Sequence, residues 1–595
     1  MPLGSEKLAG PPTITTFLRK PGVMEVVVGA VAFLAYLSTL SFGFVYDDKP
    51  VIVDNIAIRS WHPVSYYVIP RLSAGAQLSS GTFYRPVTLL WLRLNYACFG
   101  LDPAGWHFAM MLCHVLMTYL VFLMVEKLTG HRTTAVIAAT LFGLHPVHVE
   151  NVTWLSSVND LLMSVFLVGS FVAYLNHRDG RKHVWMGASL ILFSLALLSK
   201  ETAAVFPFLV FFFAAVFGRG RGRGRGRRQN AEGGVGSALK GGLVSAPYFV
   251  LLLLYLAARK LTLHGIAPPL TPVSWSTMIL TAPSVLWFDL KHLLFPVSSS
   301  EFYSLAYVTA PGFRSFVLPI CFLFGSLAVA ALYISKWSHR NLGFFALGLT
   351  FVPILPTLYL RAIAPANFVH DRFLYLPSVG IVIFIALAFE RISSLKTQQI
   401  KGSALMWAAV MILCTAALAS TVSHQMQWAS NLLLYQNAIK YAPQNPVLQV
   451  NLGNEFAGLG HYDKALPLYL SALRNDPFSW LSNYNLGYGY YRTGRFPEAE
   501  NYLKRAIQID DRDPDQFIYL ALAEMEQGEL AQAGQNAERA IQRGPASPGF
   551  HLVLGKILEA GGDRKGAFDE YRAELVSHPD NGLARSEVQR LQSLK

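Results

Sequence analysis

The chain has 595 residues, of which 53% are hydrophobic and only 14% are charged. A soluble chain usually carries about 25% charged residues, so this composition excludes an ordinary soluble globular protein. The net charge is +13; the basic excess lies in residues 1–422, whereas residues 423–595 contain slightly more acidic than basic residues. Positive charge in an apolar segment is typical of cytoplasmic loops, so we expect membrane lipids, and no nucleic acid, as neighbours.

Residues 24–422 are predicted to form a bundle of about 11 membrane-spanning helices, since about 20 apolar residues cross a bilayer as a helix. The segment 279–296 contains Asp289 and Lys291 and is predicted to be a peripheral or re-entrant helix. The first apolar segment is too long for a cleaved signal peptide, and we interpret it as a retained signal anchor. The predicted spans are 24–46, 106–125, 134–150, 158–176, 184–199, 202–217, 238–262, 313–335, 341–360, 374–390 and 403–422.

The distribution of Lys and Arg predicts the orientation in the membrane. With 11 spans, the basic loops and the N-terminal tail 1–23 all fall on one side, which we expect to be cytoplasmic. The Arg-Gly tract 219–228, within the loop 218–237, could be an RNA-binding arm. Its position between two spans favours a disordered loop that fixes the topology. The C-terminus would then lie in the periplasm or in the endoplasmic-reticulum lumen.

The C-terminal segment 428–595 has an internal period of 34 residues. This period, with small residues at fixed positions, is typical of tetratricopeptide repeats (TPRs), which form an all-α solenoid. We predict four repeats over 446–579, a preceding half repeat at 428–442 and a capping helix at 581–593. Such arrays form concave surfaces that bind extended protein partners. The residues that repeat in one phase are Gly460, Gly494, Gly528 and Gly562; Ala465, Ala499, Ala533 and Ala567; and Leu452, Leu486, Leu520 and Leu554.

Most acidic residues of the membrane segment lie at the outer ends of predicted spans. Charged residues at a membrane are energetically unfavourable and are often functional. Helix-end solvation explains any one of them, but a shared polar cavity explains the whole set better. The nine outer acids are Asp47, Asp48, Asp54, Asp102, Glu150, Asp160, Glu201, Glu301 and Asp371, and the basic residues that recur with them are Arg85, His107, His145, His148, Lys200 and Arg372.

Asp47 and Asp48 follow the first span directly. One of them could act as a general base for an acceptor hydroxyl. The pair could instead bind a divalent cation that holds a phosphate, or it could simply end the helix.

His145 and His148, with Glu150 two residues further on, could ligate a metal, but the third ligand would have to come from elsewhere and Pro146 interrupts the helix. We therefore favour hydrogen bonding to phosphate or sugar over a metal site. Lys200 and Glu201 lie at the tip of a predicted helical hairpin, where a lysine suits a lipid phosphate. The alternative is a snorkelling lysine beside its counter-charge.

Seven short motifs occur in a fixed order along the chain. The similarity that these motifs and the later repeats carry extends over most of residues 24–579. The motifs are Phe44-Val-Tyr-Asp47-Asp48, Tyr84-Arg85-Pro86-Val-Thr-Leu, Leu94-Asn95-Tyr96, Gly105-Trp106-His107 with His114, Leu141-Phe-Gly-Leu-His145-Pro146-Val-His148-Val-Glu150, Ser199-Lys200-Glu201, and Asp371-Arg372-Phe-Leu-Tyr375-Leu-Pro377-Ser378. In this order the chain resembles the transmembrane and TPR-containing O-mannosyltransferases and their bacterial relatives, which adopt the C-type glycosyltransferase (GT-C) membrane fold.

Two departures from the family pattern concern charged positions. The family often has Arg before an Ala-Asp-Leu-Leu stretch, and this chain has Ser157-Val158-Asn159-Asp160. The family's Glu-Arg before the Tyr-Pro-Ser motif is Asp371-Arg372 here, which keeps the charge and shortens its reach. These departures bear on the identity of the sugar and donor more than on the fold.

The resemblance implies transfer of a sugar, mannose in the first instance, from a polyprenyl or dolichyl phosphate donor to a hydroxyl of an exported protein. Asp47 or Asp48 would be the catalytic base, and the TPR array would hold the acceptor or a partner near the site. The sequence establishes no cofactor, and the need for a divalent cation stays open. The residues expected to bind donor phosphate or sugar are Arg85, His107, His145, His148, Glu150, Lys200, Glu201, Asp371, Arg372 and Tyr375.

Two other classes of function fit the same pattern. A non-catalytic membrane scaffold would use the repeats to recruit proteins of envelope assembly or secretion, and the outer polar residues would be dispensable. A transporter of lipid-linked sugars would place polar residues at the bilayer midplane and show inverted-repeat symmetry, neither of which the sequence displays. We expect a multi-pass protein of the bacterial inner membrane rather than of the endoplasmic reticulum.

Overall fold

The computed structural model describes residues 22–68, 84–180, 182–217, 235–263, 272–337, 339–363, 368–393 and 399–593. Nearly all of the predicted N-terminal tail and the whole Arg-Gly tract 219–228 lie outside these ranges. The described chain contains helices and turns and no β-strand, which confirms the all-α fold class. It divides into two units, Met1–Leu434 and Tyr435–Lys595, which we describe separately.

The first unit contains thirteen helices of at least ten residues within the described ranges. Short helical turns connect several of them, and the helix Val149–Thr153 lies between α4 and α5. The helices are α1 (Val23–Ala35), α2 (Pro86–Phe99), α3 (Pro103–Thr129), α4 (Arg132–Gly143), α5 (Val158–Arg178), α6 (Val184–Ser199), α7 (Phe206–Phe217), α8 (Val235–Leu263), α9 (Trp275–Leu294), α10 (Leu318–Ser335), α11 (Arg340–Phe351), α12 (Pro377–Ser393) and α13 (Gln399–Gln425).

Among the described residues, six helical segments are long and apolar enough to cross a membrane, and three shorter apolar helices accompany them. Large apolar side chains point outward from these helices; Leu253, Val329 and Ile412 are 65%, 69% and 68% exposed. Such faces are stable only against lipid, so the first unit is a multi-pass membrane bundle. The count of 11 spans stays a prediction. The six segments are Pro103–Thr129, Leu155–Arg178, Gly241–Leu263, Phe313–Ser335, Arg340–Leu358 and Leu405–Ala429.

Local sequence explains where α3 begins and ends. The side chain of Asp102 accepts a hydrogen bond from the backbone N–H of Ala104 at 3.1 Å, and Pro103 occupies the first helical position. Gly130 ends the helix in the left-handed conformation (φ 73°). The predicted span 134–150, by contrast, is helical only to Gly143 before it turns, because a proline follows within the next turn.

The second unit is a series of antiparallel helical hairpins with a final helix. Glycines with positive φ join the two helices of a hairpin: Gly460, Gly494, Gly528 and Gly562 have φ between 74° and 88°. This explains why the repeat keeps glycine at that position. The helices are α14 (Asn431–Tyr441), which begins in the first unit, α15 (Pro446–Gly458), α16 (Tyr462–Asn475), α17 (Trp480–Arg492), α18 (Phe496–Ile509), α19 (Pro514–Glu526), α20 (Leu530–Arg543), α21 (Phe550–Ala560), α22 (Arg564–Ser577) and α23 (Gly582–Ser593).

The repeated alanines pack between the two helices of each hairpin. Ala465, Ala499, Ala533 and Ala567 are completely buried, because only a small side chain lets the two helices approach closely. The first helices of successive hairpins contact one another: α15 with α17, α17 with α19, and α19 with α21. The second helices are less closely packed with each other, so the first helices line the inner, concave side of the array.

Candidate active site

The two aspartates after α1 have different environments. Asp48 is completely buried, and its carboxylate accepts hydrogen bonds from the backbone N–H of Val45 (3.1 Å) and from the backbone N–H (2.9 Å) and hydroxyl (2.6 Å) of Ser156. Burial raises the pKa of Asp48 to about 7, against the effect of these donors. Asp48 therefore ties the turn after α1 to the turn before α5.

Asp47 is exposed at the protein surface. The surrounding protein raises the pKa of its carboxyl group, while the positive charge of the nearby Arg372 lowers it. An accessible carboxylate with a raised pKa is the form that a general base requires. Of the two aspartates, Asp47 is thus the one that can reach a substrate.

Arg372 lies at the centre of the charged cluster. Its guanidinium forms a very short contact with Glu150 and lies 3.3 Å from both carboxylate oxygens of Glu301. Its backbone N–H donates a hydrogen bond to the second oxygen of Glu150 at 2.9 Å. The guanidinium also lies over the ring of Trp154 (5.0 Å to the centroid), so it is oriented by charge, hydrogen bonds and an aromatic face together.

Several buried carboxylates, including Glu150 and Glu301, lie around the single guanidinium of Arg372. Burial and the negative charge of Glu150 raise the pKa of Glu301 well above its ordinary value, although Arg372 opposes this. Asp371 accepts hydrogen bonds from the hydroxyls of Ser299 (2.8 Å) and Tyr303 (2.9 Å), and burial raises its pKa to about 8. We conclude that part of this cluster carries protons at neutral pH, which limits the unbalanced charge.

Lys200 is buried and pairs with Asp160, which lies in the first turn of α5. The Nζ atom of Lys200 donates to both carboxylate oxygens, at 2.6 and 2.7 Å. Burial lowers the pKa of Lys200, and the charge of Asp160 opposes that shift. Since an ammonium has three N–H donors, one remains for a further acceptor.

Lys200, Asp160 and Arg372 line one narrow cleft that opens to solvent. The ring of Phe373 forms part of its apolar wall, with Lys200 Nζ 5.0 Å from the ring centroid. Two cations at the mouth of an open cleft suit the binding of phosphate oxygens.

Arg85 and Glu201 form a second pair. The Nη2 atom of Arg85 donates to Glu201 Oε1 at 2.8 Å and its Nε atom donates to Oε2 at 3.3 Å. Arg259 lies 3.7 Å from the same carboxylate. Two arginines therefore share Glu201, and Arg85 acts as part of this group rather than as an isolated cation.

The predicted imidazoles form a separate buried network. His145 donates from Nε2 to the carbonyl of Leu293 (3.1 Å), and His148 bonds through Nε2 to the hydroxyl of Ser378 (2.8 Å). Tyr375 donates to His114 Nδ1 at 2.8 Å, because His114 Nε2 is already used on the carbonyl of Gly143.

This imidazole network supports the backbone that carries Glu150 and Arg372. His107 packs edge-on against Phe42, and no described contact joins it to the charged cluster. His107, His145, His148 and Tyr375 stay predictions as ligands of donor or sugar.

Glu150, Glu301 and His370 could hold a metal ion, since one ligand atom of each lies within 4.8 Å of the others. Arg372, however, already binds both carboxylates. A divalent cation would have to approach this guanidinium closely, so the geometry favours arginine as the resident positive charge.

The structure places four residues in the site to which the sequence patterns gave no role. Asp160 and Glu301 belonged to the outer acids without a stated role, and their position at span ends was the available signal. Arg259 and Ser156 gave no such signal, because their partners Glu201 and Asp48 lie far away in sequence.

The second unit has a tyrosine face on its inner side, which we define as Tyr484, Tyr488 and Tyr491 of α17 with Tyr519 of α19. Positions 484, 488 and 491 share one side of the helix. The rings of Tyr488 and Tyr519 lie 4.7 Å apart, and those of Tyr491 and Tyr519 lie 6.0 Å apart. Arg492 donates to the hydroxyl of Tyr488 at 2.6 Å. This face offers aromatic area and hydroxyls to a partner.

The family matches follow the two units. Residues 85–226 match the family described as dolichyl-phosphate-mannose-protein mannosyltransferase, and residues 450–515 and 520–582 match the tetratricopeptide repeat family. A crystal structure of the MamA protein is 22% identical, covers 25% of this chain and 81% of its own, and has a TM-score of 0.24. The apolar helices and the tetratricopeptide repeat match make the chain, by fold, a multi-pass membrane protein with C-terminal tetratricopeptide repeats.

The chain is similar to curated protein O-mannosyl-transferases over most of its length. It is 27% identical to TMTC3 of Mus musculus over 582 residues, which is 90% of this chain and 61% of the relative. It is 25% identical to TMTC4 of Homo sapiens over 511 residues (75% and 65%), and 34% identical to Tmtc1 of Drosophila melanogaster over 180 residues (29% and 20%). The chain spans about three fifths of the TMTC3 length.

The comparisons confirm the resemblance that the ordered motifs predicted. The family that the chain resembles is that of the transmembrane and TPR-containing O-mannosyltransferases.

Proposed function

We propose that this protein is a membrane glycosyltransferase that transfers mannose from a polyprenyl or dolichyl phosphate to a serine or threonine hydroxyl of an exported protein. The observation that carries the proposal is the accessible carboxylate of Asp47 within the field of Arg372, whose cleft also contains Lys200. The effect of the Arg372 charge on Asp47 supports a base close to a phosphate site. The similarity to protein O-mannosyl-transferases supports the same reaction class.

In the proposed reaction the Asp47 carboxylate takes the proton of the acceptor hydroxyl. The hydroxyl oxygen forms a bond to C1 of the sugar, and the bond between C1 and the phosphate oxygen breaks. The phosphate leaves with the electron pair of that bond, and its negative charge is stabilised by Arg372 and by the third N–H donor of Lys200. Both cations are already oriented by carboxylates, so little reorganisation is needed.

The tyrosine face is proposed to hold an extended acceptor segment. Binding there would raise the effective concentration of acceptor hydroxyls at the membrane site. The site and the repeats would then share the outer side of the membrane, with the basic loops in the cytoplasm, in a bacterial inner membrane.

The test is sugar transfer by the full chain in proteoliposomes. Radiolabelled polyprenyl-phosphate-mannose and a pool of exported proteins are offered to wild type and to Asp47→Asn. Label that reaches protein only with wild type supports the proposal. Absence of transfer from mannose or any other lipid-linked sugar, with partners still bound by the repeats, would favour the non-catalytic scaffold instead.

A further inference from the structure

Tyr46, the residue before Asp47, has a backbone φ of 55°. Within the described ranges it is the one non-glycine residue with positive φ. The left-handed region is unfavourable for a residue with a Cβ atom, and aromatic residues seldom occupy it. Residues held in such a conformation cluster at functional sites, where surrounding contacts keep them in place.

Specific contacts hold this conformation. The backbone N–H of Tyr46 donates a hydrogen bond to the side-chain oxygen Oδ1 of Asn431 at 2.8 Å. The ring of Tyr46 packs against Trp154 and Phe302, with centroid distances of 5.5 and 6.2 Å. Trp154 is the same ring that lies under the guanidinium of Arg372.

Asp47 is therefore placed between two fixed residues. On one side the Tyr46 peptide is bound by Asn431, and on the other the Asp48 carboxylate is bound by Ser156. A change of φ at Tyr46 to an ordinary negative value would redirect the following peptide. The exposed carboxylate of Asp47 would then move relative to Arg372.

We propose that Asn431 is a positioning residue for Asp47. Its side-chain oxygen keeps Tyr46 in the left-handed conformation that presents the Asp47 carboxylate to the acceptor hydroxyl near Arg372. This inference rests on the proposed function, in which Asp47 is the base. Asn431 is the first residue of α14, in the segment predicted as the half repeat.

The first test removes the side-chain oxygen of Asn431, which accepts the hydrogen bond from Tyr46. Asn431→Ala is expected to lower kcat for mannosyl transfer in proteoliposomes by about tenfold or more, because small misplacements of a catalytic group have large effects on rate. The KM values for donor and acceptor stay unchanged, since no substrate contact is removed. Asn431→Asp keeps an oxygen at the same position and restores most of kcat. A wild-type kcat in Asn431→Ala, or an Asn431→Asp variant as slow as alanine, overturns the proposal.

The second test addresses the backbone conformation itself. Tyr46→Gly and Tyr46→Val both remove the ring, but only glycine adopts positive φ readily. We expect Tyr46→Gly to keep at least tenfold more kcat than Tyr46→Val. Equal rates for these two variants in an active wild-type background refute the role of the conformation. Absence of transfer by wild type refutes the proposed function instead, so the two failures are distinguishable.

Discussion

Lys200 and Asp160 form a buried ion pair in which Nζ lies 2.6 and 2.7 Å from the two carboxylate oxygens. Both side chains are less than a tenth exposed. The pair joins the hairpin tip after α6 to the first turn of α5 and lines the cleft beside Arg372. Its contribution to stability and its proposed role in phosphate binding can be separated by substitution.

Lys200→Met leaves the Asp160 carboxylate buried without its cation, and we expect the free energy of unfolding to fall by about 3–5 kcal/mol. The double variant Lys200→Met/Asp160→Leu removes both charges and is expected to recover most of that stability while transfer stays lost. Thermal unfolding in detergent and transfer in proteoliposomes measure the two effects. A double variant as unstable as the single one would contradict this interpretation.

Asp47→Asn is expected to lower kcat and Asp48→Asn is expected to lower the stability of the fold. At Asp47 the change removes an exposed base, so kcat falls by about 10²–10⁴-fold and the melting temperature stays at its wild-type value. At Asp48 the change disturbs a buried acceptor of three hydrogen bonds and lowers stability by about 1–3 kcal/mol. Equal loss of kcat and unchanged stability in both variants would show that Asp48 also acts in the reaction and would contradict its assignment as a structural residue.

Stability is expected to depend on pH through Asp371. The folded state holds the proton of Asp371 up to a pKa of about 8, whereas the unfolded chain releases it near the ordinary value of 3.8. The stabilisation is therefore complete below about pH 4 and is lost as the pH rises towards 8, with a slope of about 1.4 kcal/mol per pH unit for one proton.

Asp371→Asn is neutral at every pH and lacks this slope. Its stability relative to wild type should increase between pH 5 and pH 8, as followed by melting temperature in detergent. Asp54→Asn changes an exposed carboxylate of the same unit and serves as the control. This prediction is wrong if the melting temperatures of wild type and Asp371→Asn change in parallel with pH.

The tyrosine face is expected to act on acceptor binding alone. Tyr488→Ala/Tyr519→Ala should raise the acceptor KM by about 5- to 30-fold and leave kcat and donor KM unchanged. Tyr502→Ala is the matched control, because Tyr502 lies on α18, a second helix, and stacks on Tyr490. An acceptor KM that rises equally in the control would indicate general destabilisation of the repeats.

Chelation of divalent cations is expected to leave transfer intact, because Arg372 supplies the positive charge between Glu150 and Glu301. Arg372→Lys should lower kcat, since a lysine cannot contact both carboxylates with the same planar geometry. Loss of transfer with a chelator, restored by added Mg²⁺ or Mn²⁺, would instead identify a metal site at Glu150, Glu301 and His370.

Local sequence patterns were sufficient to predict the repeats. The period of 34 places Gly460 and its equivalents at every hairpin turn and Ala465 and its equivalents between the helices, since conformational freedom and small volume are properties of the residues themselves. Hydropathy likewise predicted apolar helices and acids at their ends. These signals depend on neighbours within a few turns.

The partners within the charged cluster could not be predicted in this way. Asp47 and Asp48 are chemically identical and adjacent, yet the folded chain buries Asp48 against Ser156 of the turn before α5 and leaves Asp47 exposed. Lys200 is followed by Glu201 in sequence, yet it pairs with Asp160.

The sequence by itself determined the all-α class, the membrane bundle, the repeats and the set of charged residues at the helix ends. These features depend on hydropathy and periodicity within short segments of the chain. The tertiary structure decided which carboxylate is accessible, which cation each acid binds and how Asn431 holds Tyr46 in a left-handed conformation. Those outcomes depend on contacts between segments that lie from 40 to 385 residues apart, which no local pattern encodes.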